Sequence, residues 1–241
     1  MMNNLIYSAK TLLNHIQMTT LILDTSQNQT VIALSNQDLL RDSWLLPHQT
    51  SLSTSLPLSI QTFLKKHDLS PNDLCAVALG IGPGSYTGTR VAATAAKTLC
   101  FSLEIPLIPY CSLLSYVPKD HNGPLYLTLE AKGKPPFLIQ VKAKNTHLEL
   151  TAIAKECDTH KLNPDIPLFT IDKQKFIRTH PEYADLNIQT SPLNLSLLSY
   201  YINNELLQGR VTHPQDLGKL QLLYLQHMPM QEAQITKEAL P

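Results

Sequence analysis

Residues 74–80, LCAVALG, form an unbroken apolar run that leads straight into IGPGSYTGTR (81–90). A strand without polar alternation is buried on both faces, as the centre of a parallel sheet is. The chain holds only eight glycines, and four of them (Gly80, Gly82, Gly84 and Gly88) crowd into this one junction. A strand that ends in glycines and opens a helix presents backbone N–H groups to an anion. The same glycines permit positive φ and close approach of backbones. The stretch lacks the Gly-Lys-Ser/Thr of a P-loop, and its spacing is not GxGxxG. Spacing alone leaves two readings, a phosphate cradle or an architectural turn.

The elements around this junction set the fold. TLILDT (20–25), TVIALS (30–35) and LLRDSWLL (39–46) are short strand-like runs between tight turns, an antiparallel meander. From 48 to 67 the period changes. Leu52, Leu56, Ile60, Phe63 and Leu64 recur at three and four, which predicts an amphipathic helix, with Pro57 inside it and a kink expected there. After the central strand comes a second helix over about 87–103, then a short strand at LIPYC (107–111). The order β-β-β-α-β-α-β is the ribonuclease-H-like half-unit from which actin-like folds are built. Beyond KDHNGP, four more strand-like segments (LYLTLEA, PFLIQVKA, HLELTAIA and IPLFTID) precede one clear helix in SPLNLSLLSYYINNELLQG, with Gly209 past its end. The expected fold is therefore α/β: an actin-like, ribonuclease-H-like two-lobed architecture with a reduced second lobe. Its parts are an N-terminal extension (1–17), a first lobe (18–118), and a smaller second lobe with a C-terminal segment (119–241).

Composition narrows the function classes. The 241 residues carry 19 basic and 19 acidic side chains, net charge zero. Nucleic-acid backbones are held by clustered Lys and Arg, so this chain alone is not expected to bind nucleic acid tightly. The four cysteines, Cys75, Cys100, Cys111 and Cys157, form no CxxC pair, and reduced thiols of a cytoplasmic protein are expected. No apolar run approaches the ~20 residues of a membrane span.

Candidate chemistry is sparse. Asp24 ends the first strand. Asp24, Thr25, Gly82, Gly84 and Ser85 are the candidate lining of a vestigial nucleotide site; alternatively, Asp24 accepts hydrogen bonds from the turn that follows it. SPLNLS lacks the glycines of a second phosphate loop, which argues against an autonomous kinase. No two of the nine histidines are four apart, and most sit beside turn-like or polar segments where a solvated ring is expected. No catalytic residue, metal ligand set or resident cofactor is expected. Gly88, Ala92, Ala95, Ala96 and Leu99 form a small apolar stripe on the second helix, with Arg90, Thr94, Lys97 and Thr98 more to its other side. The stripe suits packing within the lobe or against a partner helix.

MTTLILDTS (18–26), VALGIGPGSYTGTRVAATAAKTLCFSLEIPLIPYCSLL (77–114) and LLYLQ (222–226) resemble the TsaB family, also called YeaZ. Thr89 stands where that family usually has Leu, and Gln226 where it usually has Arg. The resemblance implies a non-catalytic scaffold subunit of the bacterial threonylcarbamoyladenosine (t6A) tRNA-modification complex. It implies a heterodimer with the TsaD-type transferase, assembly with the ATPase TsaE, tRNA contact only through the complex, and ATP only at the complex interface. A homodimer through the same surface is expected when the chain is alone. Carried over, the interface candidates are Leu52, Leu56, Ile60, Phe63, Gly88, Ala92 and Ala95. By alignment, Ser112 and Tyr116 fall where the transferase carries its metal-binding histidines. The alternative is a small ATP-binding, kinase-like enzyme of the actin fold using Asp24 and the Gly82–Gly84 loop.

Overall fold

A computed structural model describes residues 19–47, 51–131, 135–154 and 162–224. The expected extension 1–17 lies outside these residues, as do Cys157 and the start of the helix expected from 48.

Two five-stranded sheets repeat one topology. In the first, β1 (Thr19–Asp24), β2 (Gln29–Asn36) and β3 (Leu39–Pro47) form the antiparallel meander, and β4 (Leu74–Gly80) and β5 (Leu107–Tyr110) add in parallel. The spatial order is β3-β2-β1-β4-β5. In the second, β6 (Gly123–Leu129), β7 (Phe137–Lys144) and β8 (His147–Ala154) form the meander, and β9 (Leu168–Thr170) and β10 (Ile188–Thr190) add in parallel, in the order β10-β9-β6-β7-β8. Numbered from each meander, both orders read 3-2-1-4-5. This duplicated mixed sheet is the actin-like α/β fold.

The central strands are buried as their composition requires. Leu21, Ile22 and Leu23 of β1 and Ala76 to Leu79 of β4 are fully buried. Helix α1 (Leu52–Lys66) connects β3 to β4, and α2 (Tyr86–Leu103) connects β4 to β5. Helix α1 runs through Pro57 and buries Leu56, Ile60, Phe63 and Leu64.

The second lobe holds more than one helix. Helix α3 (Lys173–Thr179), capped by the Asp172 side chain accepting from the Lys175 N–H at 2.9 Å, links β9 to β10. Seven residues are too few to show a helical period, and three-residue strands too short to show alternation, so α3 and β10 escaped the sequence pattern. Helix α4 (Leu195–Leu207) begins at Asn194, whose side chain accepts from the Leu197 N–H, and ends before Gly209 (φ +68°).

The lobes share one core. Leu125, Leu127 and Leu129 alternate along β6 and join Ile139 and Val141 in the same contiguous apolar cluster as β1, β4 and α1. The opposite face of the second sheet packs Tyr126, Leu138 and Ile188 against Phe176 and Tyr183. Helix α4 packs on β3, β5 and β8, so it touches both sheets. The chain then returns to the first sheet. Leu107 and Thr212 exchange backbone hydrogen bonds at 2.9 and 2.7 Å, and the Leu223 N–H donates to the Ile81 carbonyl at 2.7 Å.

The C-terminal end of α1 is tied to edge strand β3. Asp42 accepts from Lys66 Nζ at 2.7 Å and meets His67 Nε2 at 2.9 Å, beside a Trp44–Phe63 ring contact. The Lys66 ammonium, with the Ser43 N–H and His67, holds the Asp42 carboxyl down to about 2. A depressed acid stabilises the fold above its unfolded value of about 3.9 and loses that contribution as pH falls toward the folded value. Asp42→Asn is therefore expected to lower Tm at neutral pH. The gap to the wild type should close as pH drops from about 4 toward 2, as read by thermal melts across that window.

Candidate functional site

The glycine junction is bonded inward. The Ser85 N–H donates to the Ser26 carbonyl at 2.6 Å, and the Thr25 hydroxyl donates to the Gly88 carbonyl at 2.5 Å. Ser85 caps α2, its Oγ accepting from the Gly88 N–H at 3.1 Å. The Gly82 N–H donates to Ser112 Oγ at 3.0 Å, and the Ser112 N–H returns a bond to the Gly82 carbonyl at 2.7 Å. A Cβ at Gly84 would overlap the Ser26 carbonyl, one at Gly88 the Thr25 carbonyl, and one at Gly80 the Asp24 carboxylate. The five candidate nucleotide-site residues are thus brought together, but in direct contact. Between Asp24–Ser26 and Gly84–Gly88 the two backbones are in direct contact. These bonds are those of an architectural turn.

Asp24 accepts from the Ser26 N–H at 2.8 Å, the turn-capping role set beside the nucleotide role above. It is buried, and desolvation raises its pKa against the opposing hydroxyls of Ser26, Ser112 and Tyr110. Its ionised form therefore carries a cost, and the wild type loses stability as pH rises through the folded pKa. Asp24→Asn keeps an acceptor for Ser26 without the charge. Its Tm is expected to exceed the wild type's by more at pH 8 than at pH 4, measured by calorimetry.

Ser112 and Tyr116 are buried in the short 3-10 turn Ser112–Tyr116, where Ser112 serves the glycine loop. Among the described residues no group of three His, Cys, Asp or Glu side chains is placed to hold a metal. Cys75, Cys100 and Cys111 are free, and burial pushes the Cys100 and Cys111 thiols up to about 12. Among the described residues, His180 departs from the solvated expectation. His180 is 4 % exposed, with Nε2 accepting from the Ala131 N–H and Nδ1 against Glu182.

The apolar surface feature of the first lobe is a groove of about 660 Å³ between α1 and α2. Its walls are Leu56, Pro57, Ile60 and Leu64 from α1 and Val91, Thr94, Ala95, Thr98 and Leu99 from α2, with Tyr86 and Arg90 at one end. The groove divides the interface candidates into three groups. Leu56, Ile60, Phe63, Gly88 and Ala92 are buried within the chain. Phe63, Gly88 and Ala92 do not line the groove; Leu56 and Ile60 line it with little exposed surface. Leu52 is half-buried on α1 outside the lining, and Ala95 is half-buried in the wall. The small stripe of α2 is divided. Gly88, Ala92 and Ala96 face the sheet, while Thr94 and Thr98, assigned to the other side from sequence, open onto the groove with Ala95 and Leu99. Helical spacing identified the buried face; it could not tell which flank of that face a neighbouring helix leaves open.

At the groove's end Tyr224 packs on Tyr86 with ring centroids 5.1 Å apart, and the Arg90 guanidinium lies 4.0 Å from the Tyr86 centroid. Arg90 Nε donates to the Tyr224 hydroxyl at 3.2 Å. These positions are 134 residues apart in the chain, so no local pattern joins them.

A family model described as TsaD, tRNA N6-adenosine threonylcarbamoyltransferase, matches residues 47–159, which include both groove helices. The tRNA threonylcarbamoyladenosine biosynthesis protein TsaB of Bacillus subtilis (strain 168) is 36% identical over 96 residues, 40% of this chain and 42% of that protein. The protein of the same name from Haemophilus influenzae is also 36% identical over 96 residues, 40% of each chain. Over this segment the chain is similar to the TsaB family. The matched segment spans about 40% of the length of these curated relatives. The YeaZ structure from Pseudomonas aeruginosa has the same fold, with a TM-score of 0.67 at 17% identity over 85% of this chain and 99% of that one.

The glycine contacts make a direct prediction. Within an exposed helix Gly→Ala gains about 1 kcal/mol. At Gly88 the added methyl meets the Thr25 backbone, and overpacking of this kind costs about 1–3 kcal/mol. Net of that gain, Gly88→Ala is expected to lower Tm by up to roughly 8 °C. Gly218→Ala, with open space around its Cβ, should leave Tm near the wild-type value.

Proposed function

We propose that this chain is a non-catalytic accessory subunit of the cytoplasmic machinery that places t6A at position 37 of tRNA. It binds and activates a TsaD-type threonylcarbamoyltransferase through the α1/α2 groove, in an assembly completed by the ATPase TsaE. The observation that carries this reading is the groove itself. It is an apolar depression between two helices, within the residues that match the transferase model. Leu58 and Phe101, large apolar side chains on the same two helices, are 64 % and 71 % exposed. Exposed apolar surface of this kind marks protein contact. The names carried by the relatives support the pathway. The inward bonding of the glycine junction supports the absence of catalysis and of a resident nucleotide. On this reading tRNA is met only within the complex, in keeping with the zero net charge.

The test is size exclusion with light scattering on the full chain, alone and mixed with the TsaD-type paralogue of the same cell. A one-to-one complex is expected at micromolar concentration. Ala95→Trp, which fills the groove from its wall without adding charge, should abolish the complex while leaving the circular dichroism melt intact. Complex formation unaffected by Ala95→Trp would remove the groove from the interface. Turnover of ATP by the chain alone would return the kinase-like alternative.

A further inference from the structure

The last described residue stands at the mouth of the groove. The Leu223 N–H donates to the Ile81 carbonyl at 2.7 Å, and a Cβ on Gly82 would overlap the Leu223 carbonyl, so Leu223 lies along the glycine loop. The next residue has already stepped onto the first turn of α2. Tyr224 packs on Tyr86, and its hydroxyl accepts from Arg90 Nε at 3.2 Å. Tyr86 and Arg90 both line the groove. Two successive residues therefore set the direction of the chain, from the loop onto the helix pair. Residues 225–241 follow from that point.

The first of them, LQHMPM (225–230), suit an apolar trough. Pro229 has no N–H to leave unpaired, and it biases the residue before it toward an extended backbone. In an extended chain side chains two apart share a face, which puts Gln226, Met228 and Met230 on the face that Tyr224 turns to Tyr86. Unbranched thioether side chains adapt to irregular apolar surface. The lengths agree. Thirteen helical residues from Tyr86 to Leu99 cover about 20 Å. Six extended residues from Tyr224 to Met230 cover about 20 Å as well. Met228 then falls opposite Ala95 and Met230 opposite Leu99, both in the groove wall.

We infer that residues 225–230 form a strap over the α1/α2 groove of their own chain, fastened at one end by the Tyr86–Tyr224–Arg90 contact, so that a protein meeting this face must first displace it. This rests on the reading of the groove as the partner site and adds a regulation of it. A contiguous apolar depression is rarely left to water in a free monomer. The strap covers it until a partner arrives. Tethered at the groove's end, it faces its site at millimolar effective concentration, so a weak contact is enough to seat it. Apparent partner affinity falls in proportion to the fraction of chains whose groove is open. The strap competes with a transferase and with a second copy of the chain alike, and it excludes neither.

Two measurements on the full chain test it. In the first, the isolated chain carrying Ala95→Cys and Met228→Cys is mildly oxidised and read by peptide mass mapping and non-reducing electrophoresis. A disulfide between these two positions within one chain is expected. No disulfide, or one that forms only between two chains, would overturn the inference. In the second, the TsaD-type paralogue is titrated with the wild type and with Met228→Asn/Met230→Asn. The double variant should bind about three- to tenfold more tightly, the change expected when a strap seated in roughly two-thirds to nine-tenths of the chains is lost. A chain ended after Tyr224 should gain as much. Equal or weaker binding by both, with Ala95→Trp still blocking the complex, would overturn the strap and leave the groove as the interface. Binding that Ala95→Trp does not alter would overturn the groove reading and the strap's regulatory role with it. Tighter binding on removal of residues 1–17, with no response to the changes at 228 and 230, would name the other end of the chain as the occupant and overturn the inference.

Discussion

The placement of α2 depends on one backbone contact, the Gly84–Gly88 turn lying against the Thr25 and Ser26 carbonyls. Side chains at Gly84 or Gly88 would hold the two segments apart. With them absent, the end of β1 and the start of α2 are joined by the Ser85–Ser26 and Thr25–Gly88 bonds, and α2 leaves the sheet at a set angle. Asp24 belongs to the same arrangement. Its buried carboxylate anchors the Ser26 N–H, so the turn that receives the glycine loop is itself held. A buried carboxylate costs desolvation, and here the cost supports a turn geometry.

The groove follows from that placement. The first turns of α2 are pulled onto the sheet by Gly88 and Ala92, and α1 buries Leu56 and Phe63 behind it. Two helices seated on one sheet face touch at their inner flanks and diverge outward, and a depression remains where small residues (Thr94, Ala95 and Thr98) line the wall. Tyr224 then closes one end. The C-terminal segment reaches this point because Leu223 pairs with Ile81, immediately before the glycine loop. The loop, the tail and the orientation of Arg90 are therefore one mechanical unit.

Much of the architecture was legible in the sequence because burial is periodic. LCAVALG announced a central strand, and Leu56, Ile60 and Phe63 a helix face, since both patterns follow from which side chains must leave water. The short elements α3 and β10 were not legible, being shorter than the period that would reveal them. The candidate site was legible only in part. The glycine cluster was visible, but its purpose depended on Ser26 and Thr25, sixty residues earlier. The interface candidates coincide only in part with the groove lining, for a related reason. Apolar spacing on α1 and α2 reports the face turned to the sheet, so Phe63, Gly88 and Ala92 emerged where Val91, Thr94 and Thr98 line the open groove. Thr94 and Thr98 are not apolar enough to stand out, and only the neighbouring helix makes them a wall.

The duplicated topology raises the question of how freely the two fold copies can move against each other. Domain closure around a ligand needs two bodies that can rotate about a hinge. Here Leu125, Leu127, Ile139 and Val141 of the second sheet are buried in the same cluster as the first, and α4 packs against both. Rotation would expose that shared apolar surface at about 25 cal/mol per Å². Asn194 adds to the restraint, its N–H on the Ser115 carbonyl at 2.7 Å and its side chain on the Val117 carbonyl at 3.1 Å. The second lobe thus acts as a brace for the first. On the proposed function, such a brace keeps two helices, one oriented arginine and one exposed phenylalanine at fixed spacing for another protein to meet.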